Sequence, residues 1–171
     1  MHQPLSQWLQ QLLQLQTSHE IKVISQLDTG LITQKLTLRP DQISTPRQWL
    51  AHSQQRYELV LICHGLAGLT QTTCEHLLAG LRDQYAQHVF IAEKPQQLPL
   101  QRNQIYALGF GGIPGIDQQP LHDDFFTQAD HSTQPSNLIL YEYNILSYKK
   151  IPDWLNAKNW ANPELWDQYR W

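Results

Sequence analysis

His64 and Glu93 each follow directly on a run of apolar, β-forming residues, Tyr57–Cys63 (YELVLIC) and His88–Ala92 (HVFIA). A histidine that ends a buried strand can exchange its proton near neutral pH. A carboxylate ending the neighbouring strand can receive a ribose hydroxyl or act as a base. Each also has a plain structural use. The histidine can bond a backbone carbonyl at the strand end, and the glutamate can cap the next turn or face solvent.

Other groupings with chemical potential carry less. Cys63, His64, Cys74 and His76 contain no paired Cys-x-x-Cys. Cys74 and His76, on one helix, point their side chains about 200° apart, which suits no single tetrahedral site. His122-Asp123-Asp124 with Asp130-His131 is a denser set of hard and imidazole ligands in a polar stretch, and a solvated loop explains it more simply. No metal site is assigned. Gly109-Phe110-Gly111-Gly112-Ile113-Pro114-Gly115 invites comparison with a dinucleotide loop. Such a loop opens a helix, however, and the Pro-, Asp- and Gln-rich stretch beyond argues for turn glycines.

The elements that must position His64 and Glu93 are legible in outline. Residues 4–16 predict an amphipathic helix, with Leu5, Trp8, Leu9, Leu12 and Leu13 on one face and glutamine on the other. His19–Leu27 predicts a strand, Asp28-Thr29-Gly30 a turn, and Leu31–Leu38 its hairpin partner. Thr45-Pro46 predicts a capped helix to about Gln55. The unbroken apolar run Tyr57–Cys63 is the pattern of a strand covered on both faces. His64–Gly68 is then a turn, Thr72 and Glu75 form a capping box, and Leu77, Leu78, Leu81 and Tyr85 carry a helix to about Gln87. With His88–Ala92 as the next strand, a right-handed βαβ unit follows, and the sheet is at least partly parallel. Leu98–Leu108 predicts a helix with Leu100, Ile105, Tyr106 and Leu108 inward, stopped by Gly109. Residues 109–135 predict a long loop with a short strand near its start, and Ser136–Tyr148 a strand. Pro152 and Asn162-Pro163 mark two helix starts in a tail carrying Trp154, Trp160, Trp166 and Trp171. Interleaved leucine and alanine favour docking of that tail on the core over an exposed stacking surface.

The segment YELVLICHGLAGL…HVFIAEKP resembles the fourth-strand to fifth-strand unit of class I S-adenosylmethionine-dependent methyltransferases, and Ala107–Phe110 followed by Leu138–Ile145 resembles that fold's closing antiparallel pair. The likeness covers roughly residues 57–148. It implies a Rossmann-like sheet with any ligand at the carboxyl ends of the strands, near His64-Gly65 and Glu93-Lys94. On that resemblance His64 and Glu93 are the candidate catalytic residues, and Gly65 and Asp28 the candidate cofactor contacts. The departures are specific. Only Asp28-Thr29-Gly30 follows the first strand where the family has a glycine-rich turn, and the interval from Leu27 to Glu58 is short for the units the full fold places there. Half of the cofactor cradle is missing, so no cofactor is named. Leu59–Gly65 also resembles the strand and His-Gly turn before an α/β-hydrolase oxyanion hole, but no Gly-x-Ser-x-Gly elbow follows. The whole chain, especially its ending SYKKIPDWLNAKNWANPELWDQYRW, resembles a small uncharacterised bacterial family, a domain of unknown function.

Composition bounds the rest. The 171 residues predict one domain, with no linker or internal repeat. Charged residues are 16% and two dozen glutamines are dispersed along the chain, so glutamine covers much of the surface. A net charge of −3, with no basic run longer than Lys149-Lys150, argues against nucleic acid and anionic membranes as partners. No apolar run approaches the roughly 20 residues that span a bilayer. Two cysteines suit a reducing compartment, and the expected location is the cytoplasm. The expected architecture is a single three-layer α/β domain over 1–171: a Rossmann-like, mostly parallel sheet of five or six strands, an antiparallel C-terminal strand and an aromatic-rich helical tail. Three function classes follow. The chain is a methyltransferase-like binding or scaffold module without S-adenosylmethionine chemistry, a small-ligand enzyme using His64 and Glu93, or a protein-interaction module using the tail.

Overall fold

A computed structural model describes residues 4–15, 20–52, 55–113 and 138–145. In chain order the elements are α1 (Leu5–Leu15), β1 (Ile21–Ile24), α2 (Thr29–Leu36), β2 (Ile43–Ser44), α3 (Pro46–His52), β3 (Tyr57–Cys63), α4 (Gln71–Gly80), β4 (Ala86–Glu93), α5 (Arg102–Ala107), β5 (Gly111–Gly112) and β6 (Ile139–Asn144). The six strands form one sheet in the order β2-β1-β3-β4-β6-β5. The first four run parallel, and β6 lies antiparallel between β4 and β5. This is a mostly parallel, Rossmann-like α/β sheet, as the sequence predicts.

Alternation along the strands splits the core into two layers. Ile21, Val23, Leu59, Leu61 and Phe90 face α1 and α2, where Leu5, Leu9, Ile32 and Leu36 close the layer. Trp8 adds an edge-on contact to the Phe90 ring at 5.7 Å. Val60, Ile62, Val89 and Ile91 face the other way, onto Trp49 of α3, Leu77 and Leu78 of α4, and Ile105 of α5. Because β3 and β4 are covered on both faces, neither shows polar alternation over its inner residues.

The crossovers decide where a crevice can form. From β1 the chain passes through α2 on one face to reach β2 at the edge, then returns through α3 on the opposite face to β3 on the far side of β1. The connections after β1 and after β3 therefore diverge to opposite faces, and the carboxyl ends of these two strands mark the topological switch point.

Several expectations change. Leu31–Leu38 is no hairpin partner, because residues 29–36 form α2. Ile32 and Leu36 are buried four residues apart, and the Asp28 carboxylate accepts the Leu31 N–H at 3.1 Å, so the expected turn is a helix cap. The cap of α4 is Thr70, whose hydroxyl accepts the Thr73 N–H at 3.2 Å, and not Thr72. That helix ends at Gly80 and closes with the π-turn Leu81–Tyr85, so β4 begins at Ala86. Between 98 and 108 only Arg102–Ala107 is helical, after a 3-10 turn at Pro95–Gln97, and Tyr106 is 42% exposed where it was expected inward. Gly109, at φ 90°, makes the expected stop. The two-residue strand β2 had not been expected. Most of the long loop beyond 109 and the tryptophan tail lie outside the described residues.

Replacing Asp28 with Ala removes the cap of α2 and lowers stability by about 1 kcal/mol, whereas Asp28→Ser retains most of it. Urea denaturation of the two variants checks this.

Candidate functional site at the strand carboxyl ends

The register of β3 on β4 pairs Cys63 with Ala92 and so sets His64 and Glu93 beside each other on adjacent strand ends. His64 occupies the left-handed region at φ 49°, an uncommon conformation for a residue with a side chain. Backbone bonds hold it there. Its N–H donates to Ala92 O, and its carbonyl accepts the Gln26 N–H, both at 3.1 Å. The turn brings Leu66 back over β4, where the Leu66 N–H donates to Glu93 Oε1 at 2.5 Å. Both side chains are enclosed, with His64 2% and Glu93 1% exposed.

Gly65 is fixed by a contact that no other residue permits. A Cβ there would lie 2.7 Å from the Ile24 carbonyl oxygen and 2.9 Å from Ile62 Cγ2. The β3 turn thus sits directly on the end of β1. Ser25 N–H bonds Ser44 O at 2.9 Å, while the Gln26 side-chain amide donates to Gly65 O and to Ala67 O. The ends of β2, β1, β3 and β4 are laced together.

Of the four residues singled out in the sequence, His64, Gly65 and Glu93 come together here. Asp28 does not join them, because it lies beyond the end of β1 at the start of α2. Two pockets open among the described residues near the same ends. One, of about 320 Å³, is lined by Gln26, Thr45, Pro46, Arg47 and the stretch Ala67–Leu69. The other, of about 150 Å³, lies between α5 and the β5–β6 pair, with Arg102, Tyr106 and Tyr141 on its walls. Neither is lined by His64 or Glu93. The first pocket draws on three connections far apart in sequence, and the only local sign of it, Thr45-Pro46, reads as a helix cap.

Cys74 packs within the α3–α5 layer, where burial first and the nearby Glu93 and Glu75 carboxylates second push its thiol up to about 12. Cys63 belongs to the opposite layer, so the two cysteines are not partners. No group of three His, Cys, Asp or Glu able to hold a metal ion occurs among the described residues. Nor is any described helix long and apolar enough to cross a membrane.

A Rossmann-like α/β protein with a tightly closed central strand-end region is the class that fold and site define. Over residues 3–171 the chain matches, and belongs to, a family of unknown function, DUF6231. No curated protein and no solved structure matches it.

The Cys74 thiolate forms too reluctantly to be a nucleophile at neutral pH. In the native protein at pH 8 iodoacetamide labels Cys74 far more slowly than in urea, as peptide mass spectrometry will show. The sign of the linkage follows: the fold keeps a proton that the unfolded chain releases near pH 9, so this contribution is complete below pH 9 and is lost as pH rises toward 12.

Proposed function

We propose that this chain is a non-catalytic ligand-binding or scaffold module built on a methyltransferase-like sheet, working in the cytoplasm. The observation that carries the reading is the use made of the candidate catalytic pair. Glu93 spends one carboxylate oxygen on the Leu66 N–H, and the backbone of His64 bonds Ala92 and Gln26 while its ring is enclosed, so both residues tie strand ends together and neither side chain is open to a substrate.

The strand order supports the kinship, since the last strand enters antiparallel between β4 and β5, as the closing pair of that family does. The cofactor the resemblance implies, S-adenosylmethionine, does not fit the residues present. The turn after β1 carries no glycine before Gly30, which already belongs to α2. β2 ends at Ser44 and is followed by Thr45, with no acidic residue at that end to receive a ribose. The Gln26 amide ties the β1 connection to Gly65 and Ala67, and the Ile24 carbonyl lies against Gly65, so the β1 turn is closed onto the β3 turn.

A ligand that binds only the folded state raises its unfolding temperature. S-adenosylhomocysteine and NAD are expected to leave the unfolding temperature unchanged, and a saturable rise with S-adenosylhomocysteine would overturn the reading. Replacing Glu93 with Ala leaves the buried Leu66 N–H without its acceptor and costs about 1–3 kcal/mol, read by urea denaturation.

A further inference from the structure

We propose that the pocket of about 320 Å³ at the ends of β1, β2 and β3 is a binding site for a small anion, a phosphate or carboxylate group of a metabolite, with Arg47 as its charged anchor. The proposal gives the binding module a ligand class, and it rests on that reading only in placing the ligand away from His64 and Glu93.

Three observations converge. The pocket lies at the topological switch point, where the connections after β1 and β3 part toward opposite faces and leave a crevice that α/β sheets use for ligands. Its volume falls at the lower end of the range for small-molecule sites, about 300–1,000 Å³. Its electrostatics are one-sided. Among the described residues Arg47 is the one charged side chain in the lining, and no described carboxylate lines it.

The Arg47 guanidinium is also uncommitted. Among the described residues this exposed side chain, like that of Arg56, forms no ion pair or hydrogen bond, whereas Arg39 is held by Asp41 at 3.4 Å and Arg82 by Asp83 at 2.6 Å; of Arg47 and Arg56, Arg47 is the one that lines the pocket. A guanidinium offers a planar fork of donors matched to carboxylate or phosphate oxygens, and its bonds to such anions are charge-assisted.

The remaining walls suit a small polar ligand with an apolar side. Thr45 Oγ already accepts the Gln48 N–H at 3.3 Å, which leaves its hydroxyl proton to donate into the pocket. Gln26 commits its amide nitrogen to the β3 turn and keeps its carbonyl oxygen for a ligand hydroxyl or amine. Pro46, Ala67 and Leu69 supply apolar surface. The two Gln26 bonds fix the β1 connection against the β3 turn, so these walls are preorganised and little ordering opposes binding.

The test titrates the full chain with inorganic phosphate and, separately, with malonate, at ionic strength balanced by sodium chloride. Unfolding temperature and the backbone amide NMR shifts of Thr45, Gly68 and Leu69 are read together. A saturable response to at least one anion is expected, and the anion that saturates at lower concentration assigns the phosphate or the carboxylate source. Arg47→Gln should weaken that binding about tenfold or more, the effect of losing a charge-assisted contact. Arg56→Gln, an exposed arginine preceding the amino end of β3, should leave it unchanged. A response to both anions that never saturates, or equal behaviour of the two variants, overturns the proposal. Either result leaves the absence of methyl transfer untouched, because that rests on the S-adenosylhomocysteine titration.

Discussion

The missing side chain of Gly65 is the constraint on which the arrangement at the strand ends depends. Parallel strands in this sheet are joined by helices, so nothing local in the sequence forces the end of β3 to sit against the end of β1. The 2.7 Å that separates a hypothetical Gly65 Cβ from the Ile24 carbonyl measures how closely they approach. Only with that approach do the Gln26 bonds reach His64 O and the β3 turn, and the same turn delivers the Leu66 N–H to Glu93. One absent methyl group thus permits a run of polar contacts across four strands.

Those contacts explain how residue types associated with catalysis serve the fold. A buried carboxylate is costly unless hydrogen-bonded, and one oxygen of Glu93, Oε1, takes a backbone donor from the turn above it. Its negative charge then acts on its surroundings, adding to burial in holding the Cys74 thiol protonated. The turn that bonds Glu93 thus also encloses the strand-end side chains. The pocket beside it shares the Gln26 and Ala67 walls of this region and has Arg47 in its lining.

The fold was legible where burial leaves an unambiguous mark. Tyr57–Cys63 reads as a two-sided strand because every residue from Leu59 to Cys63 is buried. The stretch 31–38 misleads because its apolar positions Ile32, Leu36 and Leu38 satisfy a period of two as well as the four-residue spacing of a helix face. The arbiter was Asp28, whose cap geometry is visible only in three dimensions. β2 has two residues and no pattern to detect. For the site, sequence identified His64, Gly65 and Glu93 as a strand-end group, since each ends or follows a strong strand. It could not tell inward from outward, because their burial is set by the turn folding back over β4. Nor could it assemble Gln26, Thr45, Arg47 and Ala67, which only the sheet order brings together.

The placement of β6 has a consequence for how the chain is made. The parallel core β2-β1-β3-β4 is complete by Glu93, whereas the strand that pairs with β4 arrives some fifty residues later, with His88 meeting Asn144 and Glu93 meeting Ile139. During synthesis β4 therefore emerges with one edge unsatisfied and its apolar faces, Val89 and Ile91 on one side and Phe90 on the other, already formed. Such an edge invites pairing with another chain until its own partner is translated. The long interval between the two strands thus lengthens the period for which that edge stands exposed during synthesis.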